Sequence, residues 1–287
     1  MRLHFNKSLA IAIGMACASA PARATFHLMQ IEQVIVGVNG NTAAQAIQLR
    51  MRSTFQNFVS QARIRAWDAS GAKPVLIVDM EQDVSNLASG DRILIATSCF
   101  VAATSPNAVP DFLMGNRIPD SYLAAGSLTF EDDFGGVYWR LSWGGASYTG
   151  SNTGFLDNDA NGNFGPPFAG ALPSASVQAV RFTGVAGAFS STNAADYAIT
   201  TGAATFNNNA RQSFTVGTPS PVIGDIDGDC NVDIADHARC APCLAGPGVS
   251  IRPAACSANN FTACDLQGDN DVDLLDFAEF VILFTTP

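Results

Sequence analysis

Histidine is nearly missing from this chain, with three among 287 residues. Only His27 and His237 lie beyond residue 24. Ser–His–Asp hydrolysis and histidine-rich zinc sites therefore have little to work with. Basic residues are scarce as well: 15 Lys and Arg stand against 25 Asp and Glu, a formal charge of −10. A chain of this balance repels nucleic acid rather than binding it. After residue 24 no apolar run approaches the ~20 residues a helix needs to cross a bilayer, so no membrane span is expected. Phosphate-cradling loops are missing too, because Gly224-Asp-Ile-Asp-Gly228 is acidic where such a loop needs Lys.

The first 24 residues read as a secretory signal. Arg2 and Lys7 charge its start, 9–16 is apolar, and Ala22-Arg23-Ala24 offers an A-x-A cleavage site. A secreted or cell-surface protein is expected. That segment holds three of the 15 basic residues and none of the acids, leaving 12 against 25, or −13. From Pro221 onward 11 acids face two arginines, a balance of −9. Most of the acidity is thus concentrated in the last part of the chain.

Residues 25–216 are long enough for one sizeable core. Ile47-Gln-Leu49-Arg-Met51-Arg52 alternates apolar and polar, as does Ala62-Arg-Ile64-Arg-Ala66-Trp67, which predicts strands with one face in and one face out. Further short runs at 26–38, 74–78, 92–97, 136–143, 177–183 and 211–216 are separated by Gly, Asn, Pro and Asp. Many short strands with frequent turns predict an antiparallel sandwich or barrel, and a β-sandwich is the expected fold. A short helix is expected over 120–128. Gly217-Thr-Pro-Ser-Pro221, stiffened by two prolines, starts a linker over 217–223.

Two acidic ladders follow. The first is Asp225-Ile-Asp227-Gly-Asp229-Cys-Asn231-Val-Asp233-Ile-Ala-Asp236. The second is Asp265-Leu-Gln267-Gly-Asp269-Asn-Asp271-Val-Asp273-Leu-Leu-Asp276. Both place oxygen-bearing residues at positions one, three, five, seven, nine and twelve, the spacing by which a 12-residue loop wraps calcium. A hard cation takes 6–8 oxygens, so several carboxylates must converge on one point. Val232 and Val272 occupy position eight, where paired loops join through a short β-bridge.

These ladders resemble the duplicated calcium loops of type I dockerin modules, which carry Asp at position twelve. The resemblance covers 224–287 and implies a small α-helical paired-calcium-loop domain. It carries over Asp225, Asp227, Asp229, Asp233 and Asp236, with Asp265, Gln267, Asp269, Asp273 and Asp276, as side-chain ligands. Asn231 and Asp271 would offer main-chain oxygens. It also implies that the helices after the loops dock a cohesin-like partner. Ile234-Ala235 and Leu274-Leu275 sit at the positions that influence partner choice. Position six, normally Gly, is Cys230 and Asn270; a left-handed Cys costs about 1 kcal/mol or more. The loops start 40 residues apart, around a cysteine-bearing insert that dockerins lack. The region before the ladders resembles a module of exported planctomycete-type bacterial proteins, carried by Phe26-His-Leu-Met-Gln-Ile-Glu-Gln-Val34, Ile47-Gln-Leu-Arg-Met-Arg52 and Asn57-Phe-Val-Ser-Gln-Ala-Arg63. More distantly it is similar to the lamin-tail sandwich.

Six cysteines remain after residue 24: Cys99, Cys230, Cys240, Cys243, Cys256 and Cys264. The last four fit either a four-thiolate zinc site or disulfides closing the insert, and export favours disulfides. Five cysteines after residue 224 mean that one stays free or reaches Cys99.

Other residues suggest chemistry more weakly. Asp157-Asn-Asp159-Ala-Asn161-Gly162-Asn163 resembles half a calcium loop, with Phe168 where the last acid belongs. Glu131-Asp132-Asp133 could supply glycosidase carboxylates or be a solvated turn. Among Tyr138, Trp139, Trp143 and Tyr148, alternation sends both tryptophans inward and Tyr138 to the opposite face, where it could stack on sugar.

The expectation is an exported, non-catalytic protein, mainly β, whose calcium-binding module docks it to a cohesin-like or envelope partner. The alternative is a secreted polysaccharide-binding or polysaccharide-degrading protein carrying the same module.

Overall fold

The computed structural model describes residues 26–154, 162–218 and 222–284. The expected signal over 1–24, the Asp157–Asn161 part of the half-loop and the Pro219–Pro221 part of the linker lie outside the described residues. The chain is mainly β. In order it forms β1 (Met29–Ile35), β2 (Ala46–Met51), β3 (Ala62–Trp67), β4 (Val75–Met80), β5 (Arg92–Ala96), α1 (Ser98–Ala102), β6 (Thr104–Ser105), β7 (Phe112–Leu113), β8 (Gly126–Asp132) and β9 (Val137–Trp143). Then come β10 (Val180–Phe182), α2 (Asn193–Asp196), β11 (Tyr197–Ile199), β12 (Thr205–Asn207) and β13 (Ser213–Val216). Beyond Val216 the named elements are helical, including α3 (Ile234–Cys240), α4 (Ala258–Cys264) and α5 (Leu274–Leu283).

Among the described residues the strands form three sheets, in the orders β11-β10-β1-β2-β5-β7, β4-β3-β8-β9 and β12-β13-β6. Among the described strands the pairings are antiparallel, apart from β5 with β7. The six- and four-stranded sheets share one buried cluster. Met29, Ile31, Ile47, Leu49 and Ile93 come from the first, and Ile64, Leu128, Phe130, Trp139 and Trp143 from the second. A second cluster lies against the other residues of the six-stranded sheet, where Ile35, Ala46 and Leu94 meet Phe100 of α1, Phe206 and Phe214. The six-stranded sheet is therefore covered on both faces, which hydrophobic alternation in isolated strands does not reveal.

That arrangement corrects the one-face-out reading of β2. Gln48 is buried rather than solvated, because the three-stranded sheet lies over it. Its amide donates to Glu32 Oε2 at 2.7 Å and its carbonyl accepts the N–H of Asn207 on β12. In β3 the expected alternation does hold, with Ala62, Ile64 and Ala66 buried and Arg63, Arg65 and Trp67 half-buried.

The helix expected over 120–128 is a single 3-10 turn, Asp120–Tyr122, followed by a strand. From Gly126 the chain enters β8, inserted between β3 and β9. The run Leu128-Thr-Phe130-Glu alternates, and pairing on both edges outweighs the helical start signalled by Asp120.

Candidate metal centre

Each ladder folds around its first aspartate. Asp225 Oδ1 accepts the N–H groups of Gly228 and Asp229 at 2.8 and 3.1 Å, and Oδ2 accepts that of Cys230 at 2.8 Å. Asp265 makes the same three bonds with Gly268, Asp269 and Asn270, at 2.8, 3.1 and 2.9 Å. Wrapping the backbone onto a short acid this way drives position six into the left-handed region, with φ of 66° at Cys230 and 70° at Asn270. Asparagine tolerates that conformation; cysteine does so at a cost.

The twelfth residue closes each loop. Asp236 Oδ1 accepts from Ile226 and Asp227 at 2.6 and 2.9 Å, while Oδ2 accepts from Asp233 at 2.9 Å. Asp276 repeats this with Leu266, Gln267 and Asp273, at 2.8, 3.1 and 2.8 Å. Both acids are buried. Each also sits at the third position of a helix, α3 or α5, and completes a capping box with Asp233 or Asp273 as N-cap. One carboxylate thus starts the helix and ends the loop.

Carboxylate oxygens of Asp225, Asp227, Asp229 and Asp236 lie within 4.8 Å of one another, as do those of Asp269, Asp271 and Asp276. Either acidic cluster could hold a metal ion. Asp233 and Asp273 are outside these clusters; their Oδ1 atoms cap α3 and α5, accepting from Ala235 and Leu275, both at 2.7 Å. Asp265 is not among the clustered carboxylates either; Asn231 and Gln267 carry amides. Asp271 differs from the expected main-chain role: its side chain itself enters the second cluster.

Burial pushes Asp225 above the usual carboxylate range, reinforced by repulsion from Asp236 and Asp229. Asp227 is raised for the same reasons, with Arg239 opposing. A divalent cation would remove that repulsion, and an all-oxygen donor set suits a hard one.

The cysteines form Cys99–Cys230, Cys240–Cys264 and Cys243–Cys256 disulfides. The four-thiolate zinc alternative is replaced by two bridges across the insert. The fifth cysteine of the region reaches Cys99 on α1, so position six of the first loop is tied to the β-rich part. The insert also contacts the second loop. The Val272 carbonyl accepts from Ala245 and Gly246 at 2.9 and 3.3 Å, and Asp271 Oδ2 accepts from Gly248. The expected Val232–Val272 bridge is not among the isolated bridges of the described residues. Both valines are buried.

Several of the remaining candidates pack or pair within the fold. Glu131 is buried, not a solvated turn, and faces Arg63 and Arg65. Asp132 holds the turn before β9, accepting from Phe134 and Gly136 at 3.0 and 2.7 Å and from the Tyr138 hydroxyl at 3.0 Å. Tyr138 packs edge-on against Phe26, with ring centroids 5.7 Å apart. Trp139, Trp143 and Tyr148 are buried, as alternation predicts for the two tryptophans. His27 lies in a 3-10 turn instead of a strand, and His237 stacks edge-on with Phe277 of α5. Asn163 Oδ1 accepts from Gly165 N–H at 2.9 Å. Among the described residues no helix is long and apolar enough to cross a membrane.

No protein-family model matches the chain, and no curated protein matches it significantly.

Proposed function

We propose that this is an exported, non-catalytic calcium-binding protein in which a dockerin-like module attaches a β-sandwich to a protein partner or the cell envelope. The supporting observation is the repetition of one loop design. First and twelfth aspartates make the same backbone hydrogen bonds in both ladders, and each ladder gathers at least three carboxylates. Calcium binds the folded module and not the unfolded chain, so it stabilises the docking-competent form. The three disulfides accord with an oxidising, extracellular setting. The exposed apolar residues Leu274, Leu275, Val281 and Ile282 of α5 form the docking face in this reading.

The polysaccharide reading loses its own candidates. Tyr138 is engaged with Phe26 and Asp132, and Glu131 is enclosed by arginines. Glu131 is buried and Tyr138 half-buried, which favours a packing role for both.

Calorimetric titration of the oxidised chain with calcium, with circular dichroism alongside, tests the proposal. Two bound ions and a higher melting temperature support it. No bound ion, or docking that persists in excess chelator, ends it.

A further inference from the structure

Position seven differs between the two loops in a way the repeated spacing conceals. Asn231 and Asp271 both occupy it, but Asp271 is 6% exposed and its carboxylate joins Asp269 and Asp276. Its two oxygens have different surroundings. Oδ2 accepts the N–H of Gly248, from the segment between Cys243 and Cys256. Oδ1 is buried and, among the described residues, has no hydrogen-bond donor. A buried carboxylate oxygen lacking a donor is expensive, since desolvation is uncompensated. Burial there is accounted for if a cation completes its shell.

We infer that the Asp271 side chain, through Oδ1, is a direct cation ligand of the second loop. The disulfide-closed insert is the outer shell that aims it, through the Gly248 N–H on Oδ2. The second site is then a hybrid. It replaces the neutral main-chain oxygen at position seven with a charged one, and its geometry depends on a segment outside the 12-residue loop. Outer-shell hydrogen bonds orient ligands, and their loss commonly costs 10–100-fold in metal affinity. Ligand charge count tunes affinity in the same sense. The inference rests on the calcium reading above and adds to it the residue and the insert that set the second site's strength.

The test uses the oxidised full chain carrying Asp227→Ala, which silences the first loop so that one site is read. Calcium is titrated by calorimetry, and terbium luminescence lifetimes count the water molecules left on the bound ion. Adding Asp271→Ala should weaken binding about tenfold or more and admit at least one further water. Asp271→Asn, which can still accept from Gly248, should weaken binding through lost charge while keeping the insert in place. A Cys243→Ser/Cys256→Ser pair should weaken the site while Asp271 is intact. If the Asp227→Ala chain binds calcium but Asp271→Ala leaves affinity and water count unchanged, the inference is wrong and the calcium reading stands. If neither it nor the unaltered chain binds calcium, the calcium reading itself is wrong.

Discussion

At Glu131 a carboxylate with 1% of its side chain exposed faces Arg63 and Arg65 at 3.4 and 3.5 Å. Thr129 Oγ1 also donates to it at 2.8 Å. Removing one partner from a buried charge group leaves the others uncompensated, at a cost of ~3 kcal/mol, discounted here because both arginines are partly exposed. Glu131→Ala should therefore lower unfolding free energy by about 2–3 kcal/mol in urea titrations. Asp91 shows a second ion pair with a pH signature. Arg211 Nε and Nη2 donate to its two oxygens at 2.8 and 3.1 Å, and these bonds hold its carboxyl below the usual range. A depressed folded-state pKa means the stabilisation is present above the unfolded-state value near 4. It is lost as pH falls through the lower, folded value. Arg211→Ala should shallow the acid-side loss of stability below pH ~4 and raise the Asp91 titration midpoint seen by NMR. Asp111 runs the other way: burial raises it, so its contribution falls as pH rises.

At the scale of elements, α5 separates what the helix needs for folding from what it offers outside. Phe280 is 3% exposed, whereas Ile282 is 83% exposed on the same helix. Phe280→Ala should cost about 3–5 kcal/mol through lost burial and the cavity left behind. Ile282→Lys should stay within about 0.5 kcal/mol in a thermal melt while abolishing docking, if α5 is the docking face. The ladders were legible in the sequence because their information is local: a short acid accepts amides three to five residues ahead, and a capping box spans three positions. The strands were legible where periodicity suffices, as in β3. They were not where a distant layer decides. Gln48 looks solvent-facing until Asn207, 159 residues away, is brought onto it. At Gly126 the deciding neighbour is also remote. An added Cβ would meet the Trp67 carbonyl oxygen at 2.7 Å, a close approach that fixes a strand where the local signal was helical. The side-chain role of Asp271 was hidden in the same way, since it depends on Gly248 from the insert.

Across the whole molecule the Cys99–Cys230 bond has two separable effects. It closes a sequence separation of 131 residues and joins the helical end of the chain to α1. In the chain-entropy view a loop of that length gives up to ~4–5 kcal/mol, much of it through the unfolded state. It also places a cysteine where φ is 66°, a conformation that glycine adopts without the steric penalty. The two effects can be read independently. Cys99→Ser/Cys230→Ser removes the link and keeps the strained backbone position. It should lower the melting temperature and weaken calcium binding at the first loop. Cys99→Ser/Cys230→Gly removes the link but relieves position six, by about 1 kcal/mol. It should recover first-loop affinity while the melting temperature stays low. If the glycine variant recovers no affinity, the loop depends on being anchored to α1 and not on its own backbone. Calcium binding would then report the integrity of the bridge between the two parts of the chain.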